Sequence, residues 1–201
     1  MSVDPETLAV YQARADDYAN MVATGKPGRF LRQFIDHLPP HARVLDLGCG
    51  PGDASKAMLD AGLDVDPVDA SPAMVAIARD RRGLPARLGT FDDLTQTAAY
   101  HGVWANFSLL HAPRAALPGH LAAIHRALIP GGHFHIGLKL GTGEERDPLG
   151  RFYTYVTRPE IAGLLADAGF DILHENTLTE PGLSGIPAEG INILTRTTRN
   201  A

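Results

Sequence analysis

The residues best placed to do chemistry fall in one short run, Val44-Leu45-Asp46-Leu47-Gly48-Cys49-Gly50-Pro51-Gly52, where an acid interrupts an apolar stretch and three glycines follow within five residues. The apolar part suits a central parallel strand covered on both faces, and the glycines permit a tight turn and a close backbone approach to something bound there. Such a turn can hold a pyrophosphate at a helix N-terminus when it reads G-x-G-x-x-G. Here the third glycine position is Asp53, an acid where that anion would sit. Asp46 points the same way, because a carboxylate beside the turn favours a cation. A second strand candidate, Asp64-Val65-Asp66-Pro67-Val68-Asp69, ends in another acid about 20 residues past the turn, where a carboxylate can accept both ribose hydroxyls. The chemistry predicted is capture of a cationic, ribose-bearing ligand at the carboxyl edge of a parallel sheet.

S-adenosylmethionine fits that description, with an ammonium, a sulfonium and no phosphate. Two further motifs stand in order behind the first: Asp69-Ala70-Ser71-Pro72-Ala73-Met74, and Leu128-Ile129-Pro130-Gly131-Gly132 ahead of another apolar strand. The set resembles the class I S-adenosylmethionine-dependent methyltransferases over roughly residues 40 to 140. The resemblance implies an α/β, Rossmann-like, doubly wound fold: a mainly parallel seven-stranded sheet with an antiparallel edge hairpin and helices on both faces. It implies S-adenosylmethionine as cofactor and S-adenosylhomocysteine as product. Asp46 would orient the methionyl amine directly or through water, Gly48, Cys49 and Gly50 would bring the backbone close, and Asp69 with Ala70 and Met74 would surround the ribose. One position departs from the family pattern. Where many members carry an acid for the adenine amino group, this chain has Thr90, and Asp92 and Asp93 follow, with a cofactor role and simple helix capping equally open for those two. Phe91 is expected against the adenine, and Asn106 at the exit of strand four.

The elements that must position these groups can be read in order. Leu8, Tyr11, Ala15, Tyr18 and Val22 recur at helical spacing over Pro5 to Ala23. In the resembled family a leading helix often lies over the cofactor, which makes Tyr18 a cofactor candidate and Tyr11 a substrate candidate; a plain packing stripe is the alternative. Residues 24–28 read as a break and Phe30 to Leu38 as a second helix. Asp53 to Ala61 is the crossover helix, Ser71 caps the next with Pro72 at its first position, and Ala86 to Thr90 is a short third strand. Val103 to Ser108 is strand four. His111, at its exit, is a candidate general base or substrate contact. Leu117 to Leu128 is a helix whose His120 and His125 are expected to be exposed, and His133 to Lys139 is strand five, ending in the substrate candidate Lys139. His133 and His135 could share a strand face, but no Cys or carboxylate falls at ligand spacing, so no metal is expected.

Residues 140–155 follow on the ligand side as a glycine-rich loop carrying Arg146, Arg151, Tyr153 and Tyr155. Mixed arginine and tyrosine suits a polar or anionic substrate, and a loop of this length is predicted to act as a lid. Tyr153 is a second catalytic candidate beside His111. Arg-Phe-Tyr followed by a helix also looks distantly like tRNA wobble-uridine methyltransferases. Arg158 to Ala168 is a helix, and Phe170 to Thr177 with Ile191 to Thr197 an antiparallel pair.

The 201 residues are expected to form one domain: a helical cap (1–40), a cofactor-binding core (41–139), a substrate loop (140–157) and a C-terminal helix with a strand hairpin (158–201). A mean hydropathy of -0.08 and the lack of any apolar run near the roughly 20 residues of a membrane span suit a soluble chain, and the start lacks the pattern of a secretory signal, so the cytoplasm is expected. The single cysteine, Cys49, permits no internal disulfide. A net charge of -5 disfavours broad contact with a nucleic-acid backbone. The reaction expected is in-line methyl transfer to a small molecule, with a tRNA methyltransferase, a non-catalytic S-adenosylmethionine-binding regulator and a nicotinamide oxidoreductase as the rivals.

Overall fold

The computed structural model describes residues 3–23 and 27–198; the first half of the expected break at 24–28 lies outside them. The apolar runs found in the sequence assemble into a seven-stranded sheet of order β3-β2-β1-β4-β5-β9-β8. Its strands are β1 (Arg43–Leu47), β2 (Asp64–Asp69), β3 (Arg87–Leu88), β4 (Tyr100–Asn106), β5 (Leu128–Lys139), β8 (Phe170–Pro181) and β9 (Pro187–Thr197). β1 to β5 pair in parallel, while β9 runs antiparallel to both β5 and β8. The order reverses between β1 and β4, so a crevice opens there at the strands' carboxyl ends.

Alternation along β1 sorts the layers. Leu45 and Leu47 join a core with Val103, Phe134, Ile136, Ile191 and Ile193, closed by Leu117, Leu121 and Ile124 of α6 (Leu117–Ala127) and by Ile161 and Leu165 of α7 (Arg158–Asp167). Val44 faces the other way, with Trp104 and Leu194, against Leu31 and Phe34 of α3 (Arg29–Asp36) and Met58 of α4 (Asp53–Asp60). Here Gly102 is needed: a Cβ on it would lie 2.7 Å from the Phe34 ring. The Trp104 ring stacks on His135 with centroids 3.8 Å apart, and Phe34 tilts against it at 5.3 Å.

Several expectations change. The leading helix is two, α1 (Pro5–Ala13) and α2 (Ala15–Val22), separated at Arg14, whose φ of -117° breaks the helical ladder. α1 begins as its sequence dictates, with Asp4 accepting from the Thr7 N–H and Pro5 in the first turn. The expected loop at 140–155 contains a two-stranded ribbon, β6 (Glu144–Arg146) and β7 (Phe152–Thr154), which alternation over three residues was too short to reveal. His120 is not exposed but buried at 7%, edge-on to Phe91 at 5.4 Å, and His125 is half-buried against Phe170 at 5.3 Å. Both sit on the packed side of α6. His133 and His135 share the α3 face, yet among the described residues no group of His, Cys, Asp and Glu forms a metal set. No helix of the described residues is long and apolar enough to cross a membrane.

Phe34 is fully buried under α3. Phe34→Ala is expected to cost about 3–5 kcal/mol in urea unfolding; a loss below about 1 kcal/mol would mean that α3 is held by something else.

Candidate functional site

The turn after β1 is held by what its glycines allow. Gly48, at φ 84°, donates its N–H to the Val68 carbonyl, as does Cys49. A Cβ on Gly48 would stand 2.3 Å from that of Ser108, whose hydroxyl donates to the Leu47 carbonyl at 2.6 Å, so only glycine lets the two turns touch. The Gly50 N–H donates to one oxygen of Asp69 and the Ser71 N–H to the other, each at 2.8 Å. An ionised carboxylate has about four lone-pair sites, so these bonds, with the Ala70 N–H also bearing on the acid, leave it capacity for a further donor. Burial pushes the Asp69 carboxyl up, opposed by those N–H groups.

These elements border a cleft of about 110 Å³. Of the expected cofactor residues, Tyr18, Gly48, Gly50, Asp69, Ala70, Met74, Thr90, Phe91 and Asn106 line it, and of the expected substrate residues Tyr11 and His111 do. Asp46 and Cys49 lie behind the turn. The Asp46 carboxyl, 1% exposed, accepts from the Ser55 hydroxyl of α4 at 2.5 Å, and burial lifts it to about 7. Cys49 packs with Val75, Ala78 and Leu84, where burial pushes its thiol up. Asp93 accepts from the Thr90 N–H and hydroxyl, capping a short turn. The sequence reading missed Asp4, Thr7, Phe107 and Ser108 on the cleft wall. The helical stripe that found Leu8 and Tyr11 carried no signal for Thr7, which lies on the stripe's edge.

Lys139, Arg146, Arg151, Tyr153 and Tyr155 stand beyond the wall, and a hydrogen-bonded chain links that group to the cleft. Arg151, 2% exposed, gives Asp147 two hydrogen bonds, from Nε at 3.0 Å and Nη2 at 2.6 Å, and a third to the Tyr11 oxygen at 3.0 Å. His111 Nδ1 lies 2.6 Å from the Phe152 carbonyl and Nε2 3.0 Å from Tyr11 Oη. A carbonyl only accepts, so the ring proton sits on Nδ1 and the Tyr11 hydroxyl donates to Nε2. Arg146 grips Asp4 at 2.8 and 2.9 Å and Glu6 at 3.2 Å, and the Phe152 N–H donates to Thr7 Oγ1 at 2.8 Å. α1, whose Thr7, Leu8 and Tyr11 roof the cleft, is thereby fastened to the β6–β7 ribbon behind it.

The described lining holds two carboxylates, Asp4 and Asp69, and neither lysine nor arginine. That donor set fits a sulfonium and an ammonium and does not fit a pyrophosphate. Asp53, at the third glycine position, meets Arg82 at 2.5 Å instead.

Burial lowers His111 to about 4, with Arg151 and Lys139 adding to the shift against the Phe152 hydrogen bond. The folded value lies below the ordinary ~6.5, so the unfolded chain takes up the proton first and this group's contribution to stability is lost as pH falls from about 6.5 towards about 4. Proton NMR of the imidazole should show a midpoint near 4, moved upward in Tyr11→Phe; an unshifted midpoint near 6.5 in the wild type would place His111 in solvent.

A methyltransferase-domain family pattern matches residues 44–132. A ubiquinone biosynthesis O-methyltransferase of Xanthomonas oryzae pv. oryzae is 35% identical over 99 residues, which is 45% of this chain and 40% of that protein; the match spans less than half of the curated relative's length. Among solved structures, the 1,6-didemethyltoxoflavin-N1-methyltransferase of Burkholderia thailandensis, solved with 1,6-didemethyltoxoflavin and S-adenosylhomocysteine, is similar at TM-score 0.71 and 25% identity over 98% of this chain and 92% of its own. A methyltransferase of Methanosarcina mazei shares the fold at TM-score 0.73 and 17% identity, over 82% of this chain and 96% of its own. The matched segment, residues 44–132, holds the glycine turn and the acid closing β2, and there the chain is similar to methyltransferase domains, as its fold is similar to S-adenosylmethionine-dependent methyltransferases.

Proposed function

We propose that this protein transfers a methyl group to a small-molecule acceptor, the described residues acting as one catalytic unit. The observation that carries the reading is the cleft itself, where Asp69 is a lining carboxylate with no lysine or arginine beside it in the lining, reached by the glycine turn and roofed by α1. Bound there, S-adenosylmethionine supplies a methyl group already activated on a positive sulfur, with a neutral leaving group. The chain's part is to bind, align and exclude water. The acceptor capacity left on Asp69 receives the ribose hydroxyls. Gly48 and Gly50 bring the backbone against the amino-acid end, with Tyr18 seated 3.5 Å from where a Gly50 Cβ would be. Asp46 acts from behind the turn, its charge felt through the Gly48–Gly50 backbone rather than by lining the cleft. Phe91 and the Thr90 backbone bound the adenine end, and Asn106, Tyr11 and His111 surround the methyl-transfer end.

The small-molecule acceptor is favoured by the roof that α1 makes, fastened to the ribbon behind it, and by the net charge of -5. The ubiquinone relative, an O-methyltransferase, and the toxoflavin relative, an N-methyltransferase, point to a small ring acceptor without choosing its atom.

Calorimetric titration with S-adenosylhomocysteine should show roughly micromolar binding, with none for NADH. Asp69→Ala should weaken it by about 1–3 kcal/mol, since the lost bonds are charge-assisted; unchanged affinity would remove Asp69 from the site. Label from methyl-labelled S-adenosylmethionine, offered to metabolite and tRNA fractions, should appear in the metabolites. Label in tRNA would favour the wobble-uridine reading, and tight binding without transfer to either fraction a regulator.

A further inference from the structure

One residue on the cleft wall is held against the preference of its own backbone. Of the described non-glycine residues with positive φ, His41, Ala98 and Phe107, only Phe107, at 55°, lines the cleft. A bulky side chain is disfavoured in that left-handed region, so the surroundings must impose it. They do so from both sides. The Phe107 N–H donates to the Gly137 carbonyl at 3.0 Å, and the next residue, Ser108, is anchored to the Leu47 carbonyl and packed on Gly48.

What the strain achieves is the placement of a ring. A Cβ on Gly137 of β5 would stand 3.2 Å from the Phe107 ring, and one on Gly190 of β9 would stand 3.0 Å from its Cζ. Neither glycine has a positive φ, so what these two strand positions supply is an absent side chain, the mark of a close approach. The ring rests in the slot they leave at the carboxyl edge of the sheet. A ring placed there only to fill the core would be fully buried, whereas Phe107 is half-buried and on the cleft wall. The polar side chains assigned above to the methyl-transfer end are already engaged: Tyr11 Oη and both nitrogens of His111 within the chain from Arg151, and the Asn106 oxygen with His135 Nε2 at 3.1 Å. The Tyr11 and His111 rings meet edge to face, with centroids 5.4 Å apart. This end of the cleft therefore presents ring surface more than free polar groups.

We propose that the acceptor is a planar aromatic ring, and that Phe107, set in its glycine slot, is the surface it stacks on. Offset stacking needs a flat partner, and a ring already fixed in place gives up little freedom when the ligand arrives. The proposal rests on the methyl-transfer reading for calling the ligand an acceptor; the stacking surface selects a flat ring independently of the reaction. Phe107 is then a specificity residue, and Gly137 and Gly190 position it.

The test uses the full chain loaded with S-adenosylhomocysteine and titrated calorimetrically with phenol and with cyclohexanol, which share a ring size and a hydroxyl and differ in flatness. Phenol should bind about fivefold more tightly than cyclohexanol. Phe107→Leu should erase that difference, Phe107→Tyr should keep it, and Gly190→Ala, whose added Cβ displaces the ring, should reduce it. Cooperative thermal melting followed by circular dichroism shows which variants are folded. Equal affinities in the wild type, binding of neither probe, or a preference that survives in Phe107→Leu would overturn the assignment. Should Phe107→Leu fail to fold, Gly190→Ala decides, and an undiminished preference there overturns it. If S-adenosylhomocysteine itself does not bind, the methyl-transfer reading fails separately, and the same pair titrated into the unloaded protein still decides the role of Phe107.

Discussion

The structure depends on one carboxylate. Asp69 closes β2 and binds two backbone N–H groups, one from the glycine turn after β1 and one from the turn that starts α5 (Pro72–Arg82). Two adjacent βα turns are thus pinned to a single side chain at the carboxyl edge of the sheet. Desolvation of that acid is opposed, though not cancelled, by the N–H groups that surround it, and the residue lines the cleft. A cleft wall built this way is rigid, because moving the acid would unseat both turns.

The same economy governs the far side. Tyr11 is shared between Arg151 and His111, and Thr7 accepts from Phe152, so the first helix and the ribbon after β5 are tied to each other as well as to Ser71 and Ala73 on one side and Ala112 and Arg114 on the other. The roof is polar and charged, in contrast to the apolar floor of Leu45, Val103 and Ile136. Yet the cover is not wholly polar, since Tyr153 of β7 is buried in the same core as Leu45 and Val103 and ties the ribbon to the sheet.

What the sequence revealed follows from where the information is local. Asp46, Gly48 and Asp69 are spaced by the geometry of one strand–turn–strand unit, so their order along the chain carried the fold and the cleft's position. Tyr11 and Tyr18 were legible because a helix repeats every three to four residues. The Arg151–Tyr11–His111 chain was not, since its members come from three segments at least forty residues apart in sequence, and no periodicity connects them. Asp46 shows the opposite error in kind: its place in the motif was plain, but only the packing of α4 reveals that Ser55 occupies its carboxylate. His120 was misjudged because polar residues on a helix read as solvent-facing unless the neighbour that covers them, here Phe91, is known.

The one tryptophan of the chain lies on the face away from the roof, stacked on His135 and pressed by Phe34 beneath α3. Its surroundings are fixed by the sheet and not by the cleft, and a stacked imidazole quenches indole emission while the two remain in contact. Intrinsic fluorescence excited at the indole therefore brightens when α3 lifts from the sheet and stays constant when ligands enter. Four of the five tyrosines crowd the other end, at positions 11, 18, 153 and 155, with Tyr100 at the start of β4, so most of the tyrosine signal reports on the half of the molecule opposite the tryptophan without any label being added.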